Sequence, residues 1–337
     1  MRATPQGLET SAVIAALRDG WDFDVDVAEY AAVGAGSYHW EVTNNAGRRG
    51  FVTVDDLDQK AWLGDTRDEA LDGLRRAFDA AVALRDGGLQ FVVAPIPTRS
   101  GECLRRLDAR YTIALFPFVE GEAGEFGYYE DDDDGWRAVV AMLAGLHQAT
   151  AAAGSAVRTT GLDLPGRHHL EAALAERNET WTGGPLSEPA RLAVSESAAE
   201  LAELLTLADR LRADAEKHGG DWVVTHGEPH AANVMRTSEG RVFVDWDTVA
   251  LAPPERDLWM LVVGGGADAA DLYARATGTK VNEAAIDFFR LTWDLKDLAE
   301  YLKVFRSSHQ ENDDTVRQCQ ALRNCAAIRH TWTALLA

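Results

Sequence analysis

The sequence predicts an α+β chain of two lobes, a small antiparallel sheet followed by a mostly helical part. Before about residue 120, short apolar and β-branched runs alternate with turn residues, which is typical of strands. After that point, apolar residues recur mostly at helical spacing. No repeat of about 20–50 residues is visible, which excludes solenoids and propellers. We therefore expect an N-terminal lobe over residues 1–119 and a C-terminal lobe over residues 120–337.

Five runs are expected to form the strands of the sheet. They are residues 30–36, 38–43, 50–54, 89–95 and 110–118. One amphipathic helix is expected among them, over residues 66–85, because Leu71, Leu74 and Phe78 lie close to helical spacing. Gly87 and Gly88 come directly after it and favour a helix end there.

The second half is predicted to contain four helical regions. They are residues 136–150, 170–181, 188–217 and most of 283–336. Between the third and the fourth lies a compact stretch, residues 222–258, that is expected to be non-helical. Its two short apolar runs, residues 222–224 and 242–244, read as strands, and Glu239-Gly240 supplies a turn before the second.

The charge balance limits the classes of partner. Lys and Arg number 33 against 54 Asp and Glu, which gives a formal net charge of −21 at pH 7. Such a chain repels phosphate backbones, which argues against nucleic acid and against an anionic membrane surface. It would attract a cationic small molecule, and solubility alone is the alternative explanation. With no secretory pattern near the start and no apolar run of about 18 residues, a cytoplasmic location is expected.

The non-helical stretch carries residues that suit phosphoryl transfer. Glu228 and Asn233 follow its first apolar run, and Asp245 follows the second. Phosphoryl transfer needs a carboxylate that orients or deprotonates the acceptor hydroxyl. It also needs amide and carboxylate oxygens that hold Mg²⁺ against the nucleotide phosphates. Residues 226–233 read His-Gly-Glu-Pro-His-Ala-Ala-Asn, and Asp245 comes twelve residues after Asn233.

This pattern resembles the aminoglycoside phosphotransferase and choline kinase family. In that family, His-Gly-Asp-x-His-x-x-Asn precedes a metal-binding Asp by about a dozen residues. Residues 245–248 (Asp-Trp-Asp-Thr) and 253–258 (Pro-Pro-Glu-Arg-Asp-Leu) look especially like the spectinomycin phosphotransferase branch. The resemblance covers nearly the whole chain. It implies a protein kinase-like two-lobed fold and an Mg²⁺-dependent small-molecule O-phosphotransferase that uses ATP or GTP.

Carried over by position, the resemblance implies a role for each residue of the motif. Glu228 occupies the catalytic-base position, and Asn233 and Asp245 occupy the magnesium positions. Asp257 corresponds to a buried residue that braces the catalytic loop, and His226 is a second supporting residue.

The first half is expected to bind the nucleotide. Residues 33–40 look like the family's phosphate-covering loop, in which glycines let backbone amides approach phosphate. Residues 115–121 lie where the family's inter-lobe hinge is expected, so backbone groups there should meet the base. The residues expected to contact the nucleotide are Gly34, Gly36, Ser37, Phe118 and Val119.

The chain departs from the family pattern at two positions. Glu228 replaces the catalytic Asp, and Thr53 stands on the third strand where the phosphate-binding Lys is expected. Lys60 is expected to lie beyond the strand and to be a poor substitute, with Asp79 or Glu69 as the best acidic counterparts on the following helix. Without a lysine, the nucleotide phosphates lose a charge-assisted contact of roughly 1.5–3 kcal/mol.

These departures leave three interpretations open. The chain is a working phosphotransferase with altered phosphate handling, or a pseudokinase-like binding or regulatory protein with little or no transfer, or a kinase fold with altered chemistry such as nucleotidyl transfer. The biological role also stays open between antibiotic resistance, biosynthesis and catabolism.

An acidic stripe in the last helical region is the candidate acceptor site. Asp294, Asp297 and Glu300 recur every third residue, which places them near one face of a helix, beside Trp293. Carboxylates next to an aromatic ring suit the ammonium groups of amino sugars or aminocyclitols. The alternative is an ordinary solvated face, because Lys296 lies among the acids.

Overall fold

The computed structural model describes residues 4–5, 7–34, 36–60, 62–126, 135–155 and 157–336, without the side chains of residues 218, 264–266 and 325–327. The chain divides into two compact units. The first comprises Met1–Thr160 and Trp222–Lys280, and the second comprises Gly161–Asp221 and Val281–Ala337. The lobe boundary after residue 119 stays a prediction.

A five-stranded antiparallel sheet lies near the start of the first unit. Its strands are β1 (Val25–Ala31), β2 (Tyr38–Asn44), β3 (Arg49–Asp56), β4 (Arg105–Arg106) and β5 (Tyr111–Pro117). Their order across the sheet is β1-β2-β3-β5-β4. One face packs with helix α1 (Thr10–Trp21) in a cluster that includes Leu17 and Val52, and the other packs with helix α2 (Arg67–Asp86) around Leu74.

Helix α2 matches its prediction closely, because residues that favour a helix start and a helix end lie at its two ends. Thr66 forms a capping box with Glu69: the Thr66 hydroxyl accepts from the Glu69 amide, and the Glu69 carboxylate accepts from the Thr66 amide at 3.0 Å. At the other end, Gly88 adopts φ +102°, which only glycine adopts readily.

Two further helices and two small antiparallel sheets complete the first unit. The helices are α3 (Gly135–Gln148) and α7 (Glu255–Thr277), which pack against each other. The strands are β6 (Glu122–Ala123), β7 (Val223–Thr225), β8 (Val234–Thr237), β9 (Gly240–Phe243) and β10 (Ala250–Ala252). β8 and β9 form a hairpin extended by β6, and β7 pairs with β10.

The second unit is helical throughout its described elements. These are α4 (Arg167–Ala175), α5 (Ser187–Glu196), α6 (Ala198–His218), α8 (Glu283–Phe305), α9 (Asp313–Ala321), α10 (Cys325–Thr331) and α11 (Thr333–Leu336). Its core lies between α6 and α8, where Leu204, Leu295 and Leu302 are fully buried. Across the part of the chain that the structure describes, no helix has the length and apolar content needed to span a bilayer.

Several element predictions are wrong in position or kind. The first strand runs earlier than residues 30–36: it ends at Ala31, and residues 32–34 and 36 lie outside any strand. Residues 89–95 form no strand of the sheet; Val93 instead donates to the Phe243 carbonyl at 3.1 Å in an isolated pairing, and Pro95 and Pro97 lack the N–H groups a longer ladder requires. The predicted helix over residues 188–217 is two helices that meet at Ser197.

Candidate active site

A buried carboxylate holds the loop that carries the predicted catalytic residues. Asp257, in the first turn of α7, accepts hydrogen bonds from the amides of His226 (2.7 Å) and Gly227 (2.6 Å) and from His147 Nε2 (3.1 Å). Burial alone would raise the pKa of Asp257, but the bond and charge of His147 and the charge of Arg256 hold it below the ordinary value. The carboxylate therefore stays ionised and fixes the loop entry.

Gly227 has a backbone that only glycine tolerates here. Its φ is +98°, and a Cβ atom would meet the Arg256 guanidinium. That guanidinium donates to Thr225 Oγ1 at 2.7 Å and to the Thr248 carbonyl at 2.9 Å. The glycine of the sequence motif thus makes room for an arginine that ties the loop to the segment after β9.

His226 links the catalytic loop to the end of β9. Its Nε2 donates to the Val244 carbonyl at 2.9 Å, and its Nδ1 accepts from the Glu228 amide at 3.3 Å. Burial lowers the pKa of the imidazole, so the ring is neutral and this tautomer satisfies both nitrogens. His226 therefore orients the backbone on which the Glu228 side chain is carried.

Asn233 lies at the end of the short 3₁₀ turn Ala231–Asn233 that closes the loop. Its Nδ2 donates to the Glu228 carbonyl at 2.9 Å and lies 3.3 Å from His230 Nε2. Both amide protons are thereby directed at protein acceptors, and the carbonyl oxygen Oδ1 is the atom that can ligate a metal. The Val244 amide donates to the Asn233 carbonyl at 3.0 Å, which holds this loop beside the residue preceding Asp245.

Asp245 follows β9 in an uncommon conformation. Its φ is +64°, a region that non-glycine residues occupy rarely and often at functional sites. Although its side chain is accessible to solvent, the dense protein around it, together with the negative charge of Asp247, raises the pKa of its carboxyl well above the ordinary value. A bound cation would relieve this cost.

The donor set fits magnesium. An amide oxygen and a carboxylate are hard oxygen ligands, and Mg²⁺ commonly takes one or two protein carboxylates together with substrate phosphates and waters. Among the residues that the structure describes, no group of three or more His, Cys, Asp and Glu side chains is placed to hold a metal ion. An ion at Asn233 and Asp245 would therefore need further oxygens from a nucleotide or from water.

The predicted phosphate-covering loop joins β1 to β2. Gly34 has φ +67°, and Ser37 lies at the entrance to β2. The Ser37 hydroxyl donates to Asp55 Oδ1 at 2.6 Å, which ties the loop to β3. A Cβ atom on Gly36 would come within 3.8 Å of Lys60 Nζ, so a lysine side chain ends directly below this loop.

Lys60 lies beyond β3, as expected. The chain turns back there and buries its side chain, of which 1% is exposed. The ammonium lies 2.6 Å from Asp247 Oδ2, 2.9 Å from Asp55 Oδ1 and 3.1 Å from Ser37 Oγ. Burial would lower the pKa of Lys60, but the two carboxylates outweigh it and hold the pKa above its ordinary value.

Lys60 pairs with Asp55 and Asp247 and not with the acids expected on α2, so the expectation of a helical partner is wrong. Glu69 instead forms the capping box of α2. Thr53 contributes its hydroxyl to a 3.3 Å contact with His39 Nδ1 across the sheet. The ion pair is thus built with the carboxylate on the strand and the lysine after it.

Phe118 and Val119, the expected base-binding positions, directly follow β5. The Arg49 guanidinium stacks over the Phe118 ring at 3.4 Å, and Val119 packs against the cluster that contains Phe116. The role of these two residues in binding the base stays a prediction.

The four expected acceptor residues all lie on α8 in the second unit. Trp293 and Asp294 are half-buried, whereas Asp297 and Glu300 are exposed. Burial, with the charge of Asp297, raises the pKa of Asp294 to about 6. Lys296 Nζ lies 5.5 Å from the centre of the Trp293 ring, so this stripe already holds one cation over its aromatic residue.

The chain matches the phosphotransferase enzyme family (APH) over residues 29–313. It belongs to this phosphotransferase family. The predicted family and fold class are thereby confirmed, including the antiparallel sheet in the first half and the largely helical remainder.

Individual relatives of this phosphotransferase come from several substrate classes. Protein StrN of Streptomyces griseus is 28% identical over 260 residues, which cover 75% of this chain and 76% of StrN. The structure of a spectinomycin phosphotransferase with ADP and spectinomycin has a TM-score of 0.72 and 18% identity, covering 96% of this chain and 98% of the other. Choline kinase LicA from Streptococcus pneumoniae has a TM-score of 0.59 and 12% identity, covering 94% and 99%. Because the sequence identities to these two solved structures are this low, their similarity to the chain is evidence of a shared fold alone.

Three residues beside the candidate site carry no role in the sequence-based predictions. Asp55 and Asp247 have no assigned role, and Lys60 is a doubtful substitute there because it lies seven residues after Thr53. The available signal was the run Asp-Asp-Leu-Asp-Gln-Lys at residues 55–60, in which an acid able to cap a turn precedes the lysine.

Proposed function

We propose that this phosphotransferase moves the γ-phosphoryl group of ATP or GTP, with Mg²⁺, onto a hydroxyl of a small cationic amino sugar or aminocyclitol. One observation carries the proposal. Hydrogen bonds of Asp257, His226 and the Val244 amide tie together the backbone segments that carry Glu228, Asn233 and Asp245. Phosphoryl transfer depends mainly on such positioning and on charge neutralisation.

In this proposal each residue acts on a defined group. Glu228 orients or deprotonates the acceptor hydroxyl, while Asn233 and Asp245 hold Mg²⁺, which supplies charge neutralisation at the nucleotide phosphates. Gly34, Gly36 and Ser37 cover the phosphates from above. Backbone amides at Phe118 and Val119 meet the base.

The nucleotide donor is supported by the ligands of related structures. The spectinomycin phosphotransferase was captured with ADP, and an amicoumacin kinase, with a TM-score of 0.60 and 12% identity over 96% of this chain and 94% of its own, was captured with AMP-PNP and Ca²⁺. We extend a nucleotide and a divalent cation to this chain on the oxygen ligands Asn233 and Asp245.

The acceptor class rests on charge. The net charge of −21 attracts cations, and α8 carries Asp294, Asp297 and Glu300 beside Trp293. Burial disfavours the ionised form of the Asp294 carboxyl. An ammonium group of the acceptor would stabilise that ionised form. We propose that this stripe binds the amino groups of the acceptor.

Mass spectrometry of amino sugars incubated with protein, nucleotide and Mg²⁺ tests the reaction. Transfer of a phosphoryl group adds about 80 Da to the acceptor by simple chemistry, and the Asp245→Ala variant should lose this product while keeping its fold. An added nucleotide mass would instead identify nucleotidyl transfer. Nucleotide binding without any product across the panel would favour a pseudokinase, and full activity of Asp245→Ala would refute the proposed metal site.

A further inference from the structure

The turn after β3 returns the side chain of Lys60 to the end of that strand. Successive residues of a strand point to opposite faces, so Asp55 and Asp56 diverge. Asp56 accepts from the Asp58 amide at 3.1 Å, capping the 3₁₀ turn Leu57–Gln59, and is held by Arg110 at 2.6 Å. This single turn reverses the chain and returns the side chain of Lys60 to Asp55.

Lys60 is the only lysine among the first 216 residues, and the chain has five in all. A buried lysine with two carboxylates is costly to desolvate, and removing one partner of such a cluster is strongly destabilising. Neutralising the two acids alone does not explain where the Lys60 ammonium lies, because it also contacts Ser37 of the phosphate-covering loop.

We propose that Lys60 binds the nucleotide phosphates in place of the strand lysine that Thr53 lacks, and that Asp55 and Asp247 position it. The inference rests on the proposed function. Lys60 Nζ has three N–H groups and three oxygens within 3.1 Å: Asp247 Oδ2, Asp55 Oδ1 and Ser37 Oγ. Ser37 is the longest contact and the uncharged one, so a phosphate oxygen can replace it without breaking either ion pair.

The contacts of Lys60 support this assignment. Its ammonium contacts Ser37 of the phosphate-covering loop at 3.1 Å and Asp247, two residues after the proposed metal ligand Asp245, at 2.6 Å. Lys60 therefore bridges the segment expected to cover the phosphates and the segment expected to hold the metal.

Calorimetric titration of wild type and Lys60→Met with ATP and with adenosine tests the proposal. A lost charge-assisted contact predicts that ATP binds about 10- to 100-fold more weakly to the variant. Adenosine has no phosphate, so its affinity should be unchanged. Lys280→Met, which alters an exposed lysine in the same unit, is the matched control and should bind both ligands as wild type does.

A second variant covers the case in which Lys60→Met does not fold. Lys60→Met combined with Asp55→Asn removes one buried carboxylate together with its cation, and it should show the same selective loss of ATP affinity. Unchanged ATP binding in the folded variants would overturn the inference, as would an equal loss for ATP and adenosine, which indicates a structural role. If wild type binds neither ATP nor GTP, the proposed function fails and the inference fails with it.

Discussion

Replacing Asp257 with Asn should lower the free energy of unfolding of the first unit, although the two side chains have almost the same volume. The wild-type carboxylate is fully buried and accepts from the His226 and Gly227 amides and from His147. An Asn side chain offers one acceptor oxygen, and its amide group would face a donor. With charge-assisted bonds worth about 1.5–3 kcal/mol each, the loss should be about 2–4 kcal/mol.

Urea unfolding followed by tryptophan fluorescence measures this loss, since Trp246 and Trp259 are buried in the same unit. The pKa of Asp257 is lower in the folded protein than in the unfolded chain. Its stabilisation is therefore complete above the unfolded value of about 3.9 and is lost as pH falls through the folded value. The difference between wild type and variant should be constant from about pH 5 to 8 and should shrink in stronger acid.

The control is Asp268→Asn, an exposed position on the same helix, which should change stability by less than about 0.5 kcal/mol. If Asp257→Asn behaved like this control at neutral pH, the three hydrogen bonds would not hold the loop, and the account of the site would be wrong.

Two further changes probe the acidic groups. Glu228→Asp, which restores the family residue, should retract the carboxylate by about 1 Å, because His226 and Asn233 hold the backbone of residue 228. Turnover should fall roughly 100-fold, and nucleotide affinity should be unchanged. Equal or faster turnover in steady-state kinetics would show that the loop does not fix this distance. Asp294→Asn should stabilise the second unit by about 2–3 kcal/mol above pH 6, because the folded pKa of about 6 exceeds the unfolded value and the ionised carboxyl costs stability there; the gain should vanish near pH 4, and a gain that is constant with pH in thermal melts would contradict this origin.

The proximity of the candidate site residues was predictable because most of them are local in sequence. Residues 226–233 form one loop, and Asp245 follows the neighbouring strand, so a motif with fixed spacing captures their proximity. The brace from Asp257 was also expected, because the resemblance to the family assigns a loop-bracing acid to this position; the helix that begins at Glu255 was not expected there. Short-range chemistry of this kind is readable without knowledge of the packing.

The elements that the sequence did not reveal depend on tertiary contacts. Helix α7 runs through three consecutive glycines, residues 264–266, which have poor helix propensity, and its packing on α3 stabilises it. Lys60 contacts Asp247 across 187 positions of sequence. No periodicity or motif encodes such a pair, so the contact between Lys60 and Asp247 could be located only in three dimensions.

Calorimetric titration of the intact chain with ATP and with GTP, each with and without Mg²⁺, tests the central claim most directly. The account predicts that at least one nucleotide binds and that Mg²⁺ tightens the binding, because Asn233 and Asp245 share the ion with the phosphates. Binding of neither nucleotide in the presence of Mg²⁺ would contradict the account and leave this member of the family without a phosphoryl donor.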